Sequence, residues 1–193
     1  LDFETINPAV PLFNGVRPYQ QVPFQFSLHV EEGKGGMRQG SYLAEGSDDP
    51  RPEFLRQLRK AVGPAGSIVT YNQSFEEGVL EELAEAFPEY KEWIEGVRGR
   101  LVDLLKPFRG FHYYHPQQNG SASIKSVLPA LTGKSYEGLE IADGEAASRA
   151  FLNVTYGGAT EEERQQVRAG LEKYCGLDTE GMVWIVEKLK EIC

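Results

Sequence analysis

Val22, Phe24, Phe26, Leu28 and Val30 alternate with Pro23, Gln25, Ser27 and His29. That period of two is the strongest constraint in the chain, because it fits a strand with one face turned to a core and no helix can use it. Gly33, Gly35 and Gly36 follow as a turn, and Met37 to Ala44 reads as the returning strand of a hairpin. A hairpin cannot stay folded without something packed on its apolar face, so the remaining chain must supply helices. It does so in alternation. Phe54, Leu55, Leu58 and Val62 have helical spacing and stop at Gly63-Pro64. Ser67 to Tyr71 is a short β-branched run, followed at helical spacing by Phe75, Val79, Leu80, Leu83 and Phe87. Leu101 to Leu105, with Asp103 inside it, fits either a strand or a short helix. Ile124 to Leu131 and Ala146 to Tyr156 read as helices. Val167, Leu171 and Tyr174, then Met182, Ile185, Val186 and Leu189, read as two terminal helices. With 193 residues and 40% hydrophobic residues, this is enough for a single α/β domain, a mixed sheet flanked by helices.

Carboxylates mark three places in that order. Leu1-Asp2-Phe3-Glu4-Thr5 reads as a strand on which Asp2 and Glu4 share one face and Leu1 and Phe3 the other. Two acids side by side repel each other, and either solvent or a divalent cation relieves that. Hard cations such as Mg²⁺ take oxygen ligands of this kind. Asn72 and Glu76 lie at a strand-to-helix junction. Read locally, Ser74 and Glu77 make a capping-box pattern there, and Glu76 is a first-turn acid that suits the helix dipole. Tyr174 and Asp178 are four residues apart and share a helix face. Asp178 also fits an N-cap for the last helix, with Thr179 and Glu180 in its first turn.

Taken together and in order, these segments resemble the DEDD-type (DnaQ-like) 3′-5′ exonuclease superfamily, whose fold is ribonuclease H-like. That family carries Asp-x-Glu on its first strand, a segment of the type Asn-x-x-Phe-Asp, and a final helix with Tyr-x3-Asp or His-x4-Asp. The matches here are Asp2 and Glu4; Asn72-Gln73-Ser74-Phe75-Glu76; and Tyr174 with Asp178, the tyrosine variant. Ser123-Ile124-Lys125-Ser126-Val127-Leu128-Pro129 and Tyr174-Cys175-Gly176-Leu177-Asp178-Thr179 also look like an uncharacterised bacterial branch of that superfamily. One position departs from the pattern: the second motif ends in Glu76 rather than Asp, one methylene longer. The resemblance implies a ribonuclease H-like sheet and hydrolysis of phosphodiester bonds with two Mg²⁺ or Mn²⁺ ions. Asp2, Glu4, Glu76 and Asp178 would be the metal ligands, Tyr174 would orient the attacking water, and Asp103 stands in reserve for Glu76. The implied partners are DNA or RNA 3′ ends, single-stranded. Two other readings remain: a binding module of the same fold that has lost productive metal geometry, and a phosphodiesterase of small nucleotides.

The net charge of −9 and a pI near 4.9 argue against extensive nonspecific nucleic-acid binding, which draws on many Lys and Arg contacts to phosphate. Arg51, Arg56, Arg59 and Lys60 form one candidate basic patch that could guide a strand, and Lys106, Arg109 and Lys125 another; for any one of these residues a solvated helix face is the better reading. The aromatic segment Phe111 to Pro116 offers rings for base stacking, or simply a packed loop. His112 and His115 lack a ligand partner. Cys175 and Cys193, the two cysteines, form neither a metal-ligand pattern nor a disulfide framework. With no run long enough to span a membrane and no secretory signal, the chain reads as cytoplasmic. Because its first residues already belong to the metal-bearing strand, it also reads as a domain of a longer protein, with that protein's other domains as partners.

Overall fold

The computed structural model describes residues 1–33 and 35–192. Three strands, β1 (Asp2–Ile6), β2 (Val22–Glu32) and β3 (Gly36–Leu43), form an antiparallel sheet in the order β1-β2-β3. Helix α1 (Arg51–Ala61) leads to β4 (Ile68–Thr70), then α2 (Gln73–Ala86), a 3-10 turn at Pro88–Tyr90 and α3 (Lys91–Arg98). Strand β5 (Leu101–Asp103) pairs in parallel with β4. Four helices complete the chain: α4 (Lys106–Arg109), α5 (Ile124–Thr132), α6 (Gly144–Tyr156) and α7 (Glu161–Ile192). The fold is therefore α/β, as the alternation of patterns requires. The strands do not close into one hydrogen-bonded sheet. The three-stranded and two-stranded parts are joined by the Leu1 amino group, which donates to the Val69 carbonyl at 2.8 Å and sets β1 beside β4.

The alternation in β2 does more than half-bury a strand. Residues 22–28 are buried without interruption, because helices cover both faces of this central strand. Between the two strands, Glu4 pairs with Gln25 and Thr5 with Pro23, so Phe24 has no partner in β1. This bulge shifts the side-chain alternation by one residue. Phe26 and Leu28 pack with Leu1, Phe3, α1, α2 and α3. Val22 and Phe24 pack instead with Ile6, Ala147, Phe151 and Leu171, on the side of α6 and α7. Phe24 stacks on Phe151 with ring centroids 4.1 Å apart. One apolar series thus feeds two layers. The polar series between is tied down rather than solvated: Gln25 donates to the Leu171 carbonyl at 2.9 Å, and Ser27 bonds Thr179 at 2.8 Å.

The two expected terminal helices are a single helix of 32 residues. Asp178 lies in its middle and caps nothing. Gly176, Asp178 and Thr179, poor residues for a helix interior, are tolerated because each packs or bonds outside the helix. Thr179 is fully buried against Ser27 and His29. Gly181 lets α5 approach: a Cβ there would stand 3.2 Å from a Leu128 methyl. A third cluster, with Leu104, Phe108, Val127, Leu128, Met182 and Ile185, holds α4 and α5 against this helix.

The local expectation fails at the start of α2, and the aromatic segment takes the loop alternative. Asn72 precedes α2 in the left-handed conformation (φ 78°), and no side chain caps the helix; the Ser74 hydroxyl turns back to Asn72 Oδ1 at 3.0 Å. The capping box is therefore not formed. Phe111 to Pro116 is a loop with Phe111 and Tyr114 exposed and Tyr113 packed on Phe108. Cys193 lies outside the described residues, and Cys175 is a free, buried thiol.

Candidate metal centre

Carboxylates from three widely separated parts of the sequence come together near the middle of the fold. Strand β1 carries Asp2 and Glu4 on the side of α6 and α7, opposite to Leu1 and Phe3. Helix α7 brings Tyr174 and Asp178 down onto the same face. Asp2, Glu4, Tyr174 and Asp178 line a cavity of about 420 Å³ with Tyr71, Phe75, Lys125 and the first turn of α6. Glu76 sits at the start of α2, almost completely buried, and feels the charges of Asp2 and Asp103. It is not the solvated first-turn acid that its local sequence suggests. Its Oε2 is buried without a hydrogen-bond partner.

The acids disfavour one another's charge. Burial first, and then the Asp178 carboxylate, push Asp2 up to about 8, against the pull of the Leu1 ammonium, the Cys175 thiol and Lys125. Glu4 is raised well above the carboxylate range by burial, Asp2 and Asp178. Glu76 is raised by burial and by Asp2. Asp178 rises to about 6, again through burial, while the hydroxyls of Tyr136 and Tyr174 and the charge of Lys125 favour its ionised form. The Tyr136 hydroxyl donates to Asp178 Oδ1 at 2.5 Å. Burial and the facing carboxylates raise both phenols above their ordinary value, so both are donors and not bases.

A buried group of mutually repelling carboxylates, one with an orphaned oxygen, is costly unless a cation or protons neutralise it. The donor set is oxygen, which suits a hard divalent ion. Asp2, Glu4 and Cys175 each offer an atom within 4.8 Å of the others. The thiol stands 3.6 Å from Asp2 Oδ2, and burial followed by the facing acids keeps it protonated. It therefore acts as a weak donor that steadies Asp2. An oxygen donor set of this kind suits a hard divalent cation, and Asp2, Glu4 and Asp178, with Glu76 beside them, are the residues that would hold one.

Asp103 lies near enough to Glu76 to raise it further. Its Oδ1 accepts from the backbone N–H groups of Asn72 at 3.1 Å and Leu105 at 2.9 Å, so it ties β5 to the α2 junction. One residue of the centre escapes sequence reasoning, and another is placed by it only in a basic patch. Tyr136 lies in the loop before α6 with no periodic signal. Lys125 reads as part of a surface patch, yet lines the cavity. Three residues of the other basic patch are engaged away from the cavity: Arg51 is buried on Asp49, Arg56 pairs with Glu53, and Arg59 lies over Tyr90.

By its sequence the chain belongs to the family described as domain of unknown function (DUF2779), whose model matches residues 1–123. That span holds Asp2, Glu4, Glu76 and Asp103; Lys125, Tyr136, Tyr174 and Asp178 lie beyond it. Matches to curated proteins cover nearly the whole chain. It is 28% identical over 99% of its length to uncharacterized protein MG366 of Mycoplasma genitalium, covering 32% of that protein. It is 26% identical over 98% of its length to the MG366 homolog of Mycoplasma pneumoniae, again covering 32% of it. It is 25% identical over 99% of its length to uncharacterized protein UU173 of Ureaplasma parvum, covering 31%. The chain thus spans about a third of the length of these relatives. No solved structure matches it. Among the described residues, no helix is long and apolar enough to cross a membrane.

Proposed function

We propose that the chain is the catalytic domain of a divalent-metal-dependent 3′-5′ exonuclease. One observation carries the reading: Asp2, Glu4 and Asp178 line one cavity with the Tyr174 phenol, and buried Glu76, with an orphaned oxygen, lies near enough to be raised by Asp2. The order of these residues along the chain matches the DEDD pattern, and the succession β3-β2-β1, with β4 and β5 reached through Leu1, is compatible with a ribonuclease H-like arrangement. The 3′ polarity rests on the resemblance alone. Bound Mg²⁺ or Mn²⁺ supplies an activated water and charge neutralisation at the leaving oxygen. The protein supplies the rest. Asp2, Glu4, Asp178 and Glu76 hold the ions, Tyr136 fixes Asp178 by its hydrogen bond, and Tyr174 donates to and orients the attacking water. The other parts of the longer relatives are the expected partners.

The test is a 5′-labelled single-stranded oligonucleotide. Shortening from the 3′ end that requires Mg²⁺ or Mn²⁺ is expected. Cleavage insensitive to EDTA, or cutting only at internal sites, refutes the reading. A cavity of about 420 Å³ with Tyr71 and Phe75 in its wall also suits a single nucleotide. Faster turnover of mononucleotide esters than of oligonucleotides would favour a small-nucleotide phosphodiesterase.

Glu76 provides a sharper test. A first-turn acid contributes about 0.3–1 kcal/mol through the helix dipole. If that were its whole role, Glu76→Ala would leave turnover nearly unchanged. We expect instead that Glu76→Ala strongly reduces metal-dependent turnover while the domain stays folded. Glu76→Asp, which removes one methylene, should retain or raise it. Turnover and thermal midpoint measured on both variants separate the two roles.

A further inference from the structure

We propose that Lys125 is the residue that binds substrate phosphate in the carboxylate cavity. This rests on the nuclease reading of that cavity and names the side chain that brings its substrate in. The problem it answers is electrostatic. A chain of net charge −9, with four carboxylates at its centre, repels a phosphodiester. Among the residues lining the cavity, Lys125 is the one Lys or Arg.

Its placement has a local cost. Lys125 is the second residue of α5, where the positive end of the helix dipole disfavours a cation. Something outside the helix must offset that. The ammonium lies 5.3 Å from the Tyr174 ring centroid and 5.8 Å from that of Tyr136, and it donates to the Ala142 carbonyl. Its charge also attracts the ionised forms of Asp2, Glu4 and Asp178. Neither ring consumes an N–H donor in a directed bond, and the carbonyl takes one of three. Two remain for an anion. No carboxylate is paired with Lys125 in a salt bridge, among the described residues. It is a cation held beside the acids by rings and a carbonyl, with donors in reserve.

The position also explains why the residue would serve the phosphate and not the metal. A cation beside the ligands opposes metal binding and favours phosphate binding. Removing it should move the two affinities in opposite directions. General damage to the cavity would lower both.

The experiment uses isothermal titration calorimetry on the wild-type chain, Lys125→Met and Lys125→Arg. The probes are Mn²⁺ alone, and thymidine 5′-monophosphate in saturating Mn²⁺. In Lys125→Met, nucleotide affinity should fall about tenfold to a hundredfold, the worth of a hydrogen bond to a charged group. Mn²⁺ affinity should stay equal or rise. Lys125→Arg should restore nucleotide binding to within about threefold of wild type, because a guanidinium binds phosphate as well. If Mn²⁺ and nucleotide affinity fall together, Lys125 supports the cavity structurally and the assignment is wrong. If nucleotide affinity is unchanged while Mn²⁺ binds normally, the assignment alone is wrong. If wild type binds no Mn²⁺, the nuclease reading falls and takes this assignment with it.

Discussion

In metal-free buffer the protein is expected to be less stable at about pH 8 than at about pH 5. Many domains gain stability over that range, because their paired carboxylates are easier to ionise folded than unfolded. Here the sign is reversed. Asp2 titrates at about 8 in the folded chain against 3.8 for an ordinary Asp, and Asp178 at about 6. A group with a raised folded pKa contributes fully below its unfolded value, and that contribution is lost as pH rises through the folded one. For Asp2 this window runs from near 4 to near 8. The slope approaches about 1.4 kcal/mol per pH unit for one proton, so Asp2 alone corresponds to about 3 kcal/mol between pH 5 and 8. Asp178 adds to the lower part of the window, and Glu4 and Glu76 shift in the same direction. His29 and the Leu1 amino group, both lowered by burial, work the other way, but they are two groups against four. On the proposed reading, divalent cations should bind the ionised cluster and reverse the loss. Millimolar Mg²⁺ should raise the thermal midpoint strongly at pH 8 and little at pH 5. A metal-free midpoint that climbs steadily from pH 5 to 8 would contradict the burial of these acids.

Asp2→Asn should abolish turnover and stabilise the metal-free protein at the same time. Asp2 stands between Glu4, Glu76 and Asp178, and its charge raises Glu4 and Glu76. Asn keeps the shape and removes the charge. Loss of a ligand shared by the metal centre removes several kcal/mol of transition-state stabilisation, which at tenfold per 1.36 kcal/mol means at least about 10³-fold in rate. The same change relieves repulsion, so the metal-free midpoint at pH 8 should rise and its response to Mg²⁺ should shrink. Turnover near the wild-type level would remove Asp2 from the reaction. A fall in the midpoint would show that the acids do not repel as described.

Sequence patterns located the layers and the acids but not how they meet. Strands β1 to β4 and α1, α2, α5 and α6 were legible because apolar periodicity and β-branched runs report burial directly, whereas Leu101 to Leu105 stayed open between strand and helix. The face-switch at Phe24 was invisible, since a bulge is a property of two paired strands and the sequence shows one at a time. The break expected before Asp178 followed from helix propensity, which tertiary partners overrule at Thr179 and Gly181. Glu76 was ambiguous for a related reason: its position in the helix is local, its burial is not. Asp2, Glu4, Tyr174 and Asp178 could be named because each pair sits on one strand or helix face. Tyr136 reaches Asp178 from a loop, where no periodicity operates. Lys125 did leave a trace, a cation in the first turn of a helix, at odds with the dipole there.

The bulge opposite Glu4 also limits how this strand can change. Toward Val22 its apolar side chains belong to one helical layer, toward Leu28 to the other, and the change-over occurs at the single unpaired residue, Phe24. Deleting Phe24 would restore regular pairing and make a tidier ladder. It would also remove the ring that stacks on Phe151 and leave the layer of α6 and α7 unfilled beside Glu4 and Gln25. The strand is therefore expected to accept substitutions of similar size at position 24 but no change in residue count between the turn preceding Val22 and Gln25. Length here is a fixed parameter of the centre, as much as the identity of its acids.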